Sequence, residues 1–252
     1  MGFGQIEAMQ GSGVTLAFER QDGAAPTFVW LGGFKSDMSG TKAQALAHWA
    51  RERGQGFLRF DYSGHGQSGG SFEDGSISRW LDDTLTVIGA QTSGDLVLVG
   101  SSMGGWLALL TARRTARVKG LLLIAPAADF TERLMWPSFS PEQQAEIMSE
   151  GRLALPSAYS AEPTIITRAM IEDGKTHSLM HAPYPFAGPV RILQGGDDPD
   201  VPTAHVQALT AILQSEDVRL DIIAAGDHRL SRPQDIARLV ATADDLADQL
   251  AH

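Results

Sequence analysis

Several short runs of this sequence are apolar along their whole length, and longer runs with helical apolar spacing lie between them. "TFVWLGGF" (27–34), "DLVLVG" (95–100), "VKGLLLIAPA" (118–127) and "PVRILQG" (189–195) are the apolar runs. "TKAQALAHWARERG" (41–54), "SISRWLDDTLTVIGAQ" (76–91), "MGGWLALLTARRTA" (103–116), "TAHVQALTAILQ" (203–214) and "PQDIARLVATADDLADQL" (233–250) carry the helical spacing. A strand with no polar face has none to offer water, so both its faces must be covered, and the intervening helices are the cover. The expected fold is therefore α/β, with a mostly parallel central sheet and helices on both faces. "IEAM" and "GVTLAFE" read as a hairpin added at one sheet edge, and Gly54 reads as the C-cap of the first helix.

Residues 128–188 break the alternation. A crossover between parallel strands needs one helix, yet this segment is roughly sixty residues long and carries Pro137, Pro141, Pro156 and Pro163. "SPEQQAEIMSEG" and "EPTIITRAMIEDG" each open on a proline signal and end in glycine, which reads as two helical patches. The expected organisation is a core of residues 1–127 and 189–252 with a helical cap, or lid, inserted at 128–188. Leu134, Met135, Trp136, Phe139, Met148, Tyr159, Ile165 and Met170 are placed either to line an acyl pocket or to form the cap's own small core.

The chemistry concentrates where "DLVLV" meets the next helix. "GSSMG" (100–104) fits G-x-S-x-G only with Ser102 in the middle. That pattern suits a serine on a strained strand-to-helix turn, where flanking glycines let strand and helix approach. A serine hydroxyl needs a base, and the base needs an orienting acid. On an open α/β sheet these belong at the C-terminal ends of later strands, in the order Ser, acid, His. "GGDDPDVP" (195–202) supplies Asp198, favoured over Asp197 and Asp200 because the prolines around it look like the start of the next helix. "GDHRLSRP" (226–233) supplies His228; Asp129, after an earlier strand, is the rival acid. The oxyanion donors expected are the backbone N–H groups of Met103, after the nucleophile, and Phe34, after the flexible pair Gly32-Gly33.

Composition removes other classes. The net charge of −10, with no Lys/Arg cluster, opposes phosphate backbones and argues against a nucleic-acid partner. The absence of cysteine excludes disulfides, thiolate nucleophiles and Cys-based metal sites. "MGFGQIEAMQGSGV" lacks a basic region followed by an apolar core, and no apolar run reaches membrane-spanning length. The expectation is a cytoplasmic protein with no membrane span, acting on a small-molecule or acylated substrate.

With these residues placed, the chain resembles the α/β-hydrolase superfamily over nearly its full length. The closer likeness is to the small serine hydrolases typified by α/β-hydrolase domain-containing protein ten. It rests on "LGGFKSDMSGTKA" (31–43), "RFDYSGHGQSGGSFEDGSISRWLDD" (59–83), "LVGSSMGGW" (98–106), "RILQGGDDPDVP" (191–202) and "GDHRLS" (226–231). The resemblance implies acyl-protein (palmitoyl) thioesterase or acyl-glucuronide esterase activity. It implies Ser102, Asp198 and His228 as the triad, Phe34 and Met103 as oxyanion donors, and no metal or organic cofactor.

Competing readings are weaker. "GHGQSG" (64–69) matches a dinucleotide fingerprint, but "GGSFEDGS" after it is loop chemistry, so a turn is expected. "HSLMH" (177–181) lacks the glutamate and third ligand of a zinc site. Trp106 reads as packing, and Asp82 and Asp83 as a solvated helix face. A carbon–carbon bond hydrolase or an aminopeptidase would use the same triad, and a non-catalytic receptor could keep the fold.

Overall fold

In the computed structural model, which describes residues 6–11, 13–156 and 163–251, the chain opens with an antiparallel pair, β1 (Glu7–Gly11) and β2 (Val14–Gln21). Strand and helix then alternate: β3 (Ala24–Leu31), α1 (Thr41–Arg53), β4 (Gln55–Phe60), α2 (Ile77–Gln91), β5 (Leu96–Ser101), α3 (Met103–Ala112) and β6 (Val118–Ile124). After residues 128–188 come β9 (Val190–Gly195), α7 (Thr203–Ile212), β10 (Val218–Ile223) and α8 (Pro233–Leu250). Among the described residues one sheet of eight strands forms, in the order β1-β2-β4-β3-β5-β6-β9-β10. The first two strands are antiparallel additions at one edge, and β4 through β10 run parallel.

The alternation of side chains along β5 and β6 accounts for their uninterrupted apolar sequence. Leu96 and Leu98, with Leu121 and Leu123, face a core covered by Trp80 and Val87 of α2 and Trp106 of α3. Val97 and Val99, with Leu122 and Ile124, face a second core covered by Leu46 of α1 and Leu239 and Leu246 of α8. Each such side chain stabilises the fold by about 1.5–3 kcal/mol relative to leaving it in water. Gly54 ends α1 at φ 71°, the left-handed conformation that a Cβ disfavours.

Residues 128–188 contain a π-helical turn (Thr131–Met135) running into α4 (Trp136–Ser138), then α5 (Pro141–Glu150), β7 (Arg152–Leu155), β8 (Thr164–Thr167) and α6 (Arg168–Thr176). The first expected patch is α5, capped by reciprocal Ser140 and Gln143 hydrogen bonds. The second differs from expectation: Thr164–Thr167 is a strand paired antiparallel with β7, and α6 begins only at Arg168. The β-branched run Thr-Ile-Ile-Thr suits a pleated strand better than a helix, and Thr167 caps α6 by accepting the Met170 N–H. Met170 and Phe139 are buried with the main core, whereas Met148 is exposed. Tyr159 lies outside the described residues.

Polar contacts close this segment on itself and fasten it to α2 and to the loop after β3. Buried Asp129 accepts from Ser178 Oγ (2.7 Å) and from the N–H groups of Leu179 and Met180 (2.8 Å each). Asp173 on α6 accepts both the N–H and the Oγ–H of Ser78 on α2, at 2.8 and 2.6 Å, and His177 Nε2 meets the same hydroxyl at 2.7 Å. Lys35 Nζ reaches Thr164 Oγ at 3.2 Å.

Candidate active site

The turn between β5 and α3 places Ser102. Its backbone sits at φ 55° and ψ −119°, a strained region for a residue with a Cβ. Glycines make the turn possible by close approach: a Cβ on Gly104 would lie 2.0 Å from the Leu31 carbonyl oxygen, and one on Gly100 would lie 2.3 Å from that of Gly104. Gly104→Ala is therefore expected to cost about 3 kcal/mol. That corresponds to a fall of roughly 6–12 °C in Tm, measurable by thermal unfolding. Ser101 ends β5 in register with Ile124 and is buried, while Ser102 is half-exposed.

Three parallel strands end at the loops that meet here. The loop after β9 carries Asp198 and the loop after β10 carries His228. Asp198 Oδ2 lies 2.8 Å from His228 Nδ1, and His228 Nε2 lies 3.1 Å from Ser102 Oγ. An ionised carboxylate can only accept, so the proton sits on Nδ1 and Nε2 faces the serine with its lone pair. Asp198 Oδ1 accepts the N–H groups of Asp200 and Val201, at 2.9 Å each. Burial pushes the Asp198 carboxyl up, but hydrogen bonds from His228, Val201 and Asp200 outweigh it and hold the group below its ordinary range. The site thus brings Ser102, His228 and Asp198 together. Asp197 and Asp200 are exposed, and Asp129 is committed to the Ser178 hydroxyl and the N–H groups of Leu179 and Met180.

The loop after β3 runs beside the serine, since a Cβ on Gly33 would lie 3.4 Å from Ser102 Cβ. Two side chains of the turn after β4 fasten this loop. Tyr62 Oη donates to the Gly32 carbonyl (3.3 Å), and the Lys35 N–H donates to His65 Nε2 (3.3 Å). His65 is buried among the rings of Tyr62, Phe72 and Trp80, and that burial pushes it down to about 4, so it stays neutral. Its neutrality keeps Nε2 an acceptor at physiological pH. The Phe34 ring packs edge-on against Phe72 (4.9 Å) and Phe130 (5.7 Å), which builds an aromatic wall. Among the described residues, no backbone acceptor takes the amide of Phe34 or of Met103.

"GHGQSG" forms the expected turn, and its His65, together with Tyr62 just before it, clamps the Phe34 loop. Asp83 departs from the solvated-face expectation: it is fully buried, accepting the Ser63 N–H (2.9 Å) and hydroxyl (2.6 Å), while Asp82 is exposed. Two adjacent acids on a helix point in different directions, and Asp83 turns in toward the loop after β4. Trp106 is buried, its Nε1 donating to the His177 carbonyl (3.3 Å). His177 meets Ser78 as described, and His181 is exposed.

Comparison with known proteins gives these residues a context. The family described as Serine aminopeptidase, S33 matches residues 28–235. Mouse "Palmitoyl-protein thioesterase ABHD10, mitochondrial" is 37% identical over 238 residues, covering 94% of this chain and 80% of the mouse protein. Among solved structures, a putative hydrolase from Agrobacterium vitis S4 superposes with a TM-score of 0.91 at 43% identity, covering 96% of this chain and 98% of that one. Mouse α/β-hydrolase domain-containing protein 10 superposes at 0.89 with 35% identity, over 98% and 99% of the two chains. The name of the mouse relative carries the word mitochondrial, which stands against the expected cytoplasmic location. No helix among the described residues is long and apolar enough to cross a membrane.

Proposed function

The chain belongs to the α/β-hydrolase family that includes ABHD10 and is a hydrolase, and on that premise we propose that it cleaves acyl esters or thioesters through a serine acyl-enzyme. The observation that carries this reading is the hydrogen-bonded line Ser102–His228–Asp198 at a strained strand-to-helix turn. His228 Nε2 takes the Ser102 proton as Oγ attacks the acyl carbonyl. The oxyanion accepts from the N–H groups of Phe34 and Met103. The imidazolium then protonates the departing alcohol or thiol, leaving the acyl group on Ser102. Water enters, gives its proton to His228, attacks the same carbonyl and frees the acid as His228 returns a proton to Ser102. Asp198 holds the tautomer and stabilises the imidazolium. In this reading residues 128–188 act as a cap over the site, and the aromatic wall of Phe34, Phe72 and Phe130 meets the acyl chain.

The name of the relatives supports thioester cleavage, and the aromatic wall supports acyl binding. The matched family's name also makes aminopeptidase activity worth testing against them. A panel of p-nitrophenyl esters, S-acyl peptides of rising chain length and aminoacyl anilides separates these. Turnover of esters and thioesters, with anilides near background, is the expected result. Faster cleavage of the anilides would replace the acyl-ester reading with an amidase.

A further inference from the structure

The loop that carries His228 has an anchor that the proton-transfer line does not explain. The nine residues 224–232 between β10 and α8 include Leu230 at φ 43°, a left-handed conformation unfavourable for a branched side chain. Local contacts hold part of this loop. Asp227 Oδ1 accepts the Leu230 N–H (2.9 Å), and Arg232 Nη1 donates to the Ala225 carbonyl (2.6 Å). Arg232 is itself paired with Asp235 at the start of α8. The carbonyl of Arg229, next to the imidazole-bearing residue, is met from elsewhere: Lys42 Nζ, in the first turn of α1, donates to it.

We propose that Lys42 is a positioning residue that pins the His228 loop through the Arg229 carbonyl and so keeps Nε2 within reach of Ser102. The inference rests on the acyl-enzyme reading above. The platform on which Lys42 stands is firm, because α1 is tied to α8 by Trp49 Nε1 to Asp244 (3.0 Å) and by Arg53 to Asp244 and Asp248. Helix α1 also begins directly after the loop that carries Phe34. Lys42 therefore links two loops of the site, one holding the base and one holding an oxyanion donor. Orientation matters steeply at this point, since a misplacement of about 1 Å can cost on the order of a hundredfold in rate.

The charges that face Lys42 are Arg229 and Asp227 on the loop and Asp235 on α8, itself paired with Arg232. Burial pushes the ammonium down to about 8, Arg229 pushes the same way, and the two carboxylates oppose them. Below that value the contact is a charge-assisted hydrogen bond, and above it a weaker neutral one. The same shift acts oppositely on stability. The unfolded chain binds the Lys42 proton more tightly, so this group favours folding less at neutral pH than at alkaline pH. Replacing it by methionine should consequently leave Tm close to that of the wild type while disturbing the loop.

The test measures kcat and KM on a p-nitrophenyl ester from pH 6 to 10, with fluorophosphonate labelling and thermal unfolding, for wild type, Lys42→Met and Lys42→Arg. Lys42→Met is expected to lower kcat roughly tenfold at pH 7 with KM unchanged. In the wild type, kcat is expected to fall as pH rises through about 8. Lys42→Arg, which stays charged, should shift that fall to higher pH. A Lys42→Met enzyme with wild-type kcat at every pH would overturn the proposal. If that variant unfolds, Lys42→Arg decides alone, and an unmoved alkaline fall overturns the proposal. Absence of both turnover and labelling in folded wild-type protein would instead overturn the acyl-enzyme reading, and this inference with it.

Discussion

Ser102→Ala is expected to lower acyl hydrolysis by about 10⁴-fold or more and to abolish labelling by a fluorophosphonate probe. The change removes one oxygen and leaves the Cβ, so the strained backbone at φ 55° is no worse accommodated than before. Thermal stability should therefore match the wild type, and the loss should appear in kcat. Ser101→Ala supplies the contrast. Ser101 belongs to β5 and is buried, so its variant should still label and turn over. Retained labelling in Ser102→Ala, or its loss in Ser101→Ala with the fold intact, would put the nucleophile at the wrong serine.

Asp198→Asn is expected to reduce kcat by about 10³–10⁴-fold. The reason lies in the neighbours of the carboxylate. Oδ1 already accepts two backbone N–H groups, so the single amide oxygen of asparagine is held there. The amide nitrogen must then take the place of Oδ2, where it donates toward His228 Nδ1 instead of accepting from it. The imidazole responds by carrying its proton on Nε2, which points a donor at Ser102 and leaves no lone pair to take the serine proton. The protein should stay folded, and single-turnover measurement of ester cleavage checks the rate. If Asp129→Asn gave this loss and Asp198→Asn did not, the acid would be Asp129. The contacts of Asp129 to residues 178–180 give it a different task, tying the two ends of residues 128–188 together.

The sheet was legible because its information is local. A run such as "DLVLVG" declares two buried faces on its own, and the glycine register around Ser102 declares the turn. Asp198 and His228 were legible for a related reason, since strand order alone brings the ends of β9 and β10 to that turn. The clamp formed by Tyr62 and His65 was not, because nothing within "DYSGHG" states that its partner is a loop thirty residues earlier. Lys42 and Arg229 are 187 positions apart, and a lysine in an exposed-looking first turn gives no sign of what it meets. Asp83 misled for the opposite reason: its neighbour Asp82 is solvated, and helical periodicity cannot tell which of two adjacent acids turns inward. The β8 strand was hidden by a proline-led pattern that fits a helix start equally well.

The two-sided burial of β5 has a consequence for where the strand stores its address. Where one face is oily and the other wet, the alternation itself fixes which residue lies opposite which. Leu96, Val97, Leu98 and Val99 hold no such message, because a slip by one position would exchange one oily face for another. The strand is instead indexed at its end, where Gly100 admits the Gly104 backbone and Gly104 admits the Leu31 carbonyl. Exchanges among aliphatic residues of like size leave the serine in place, whereas Gly100 and Gly104 have no such freedom.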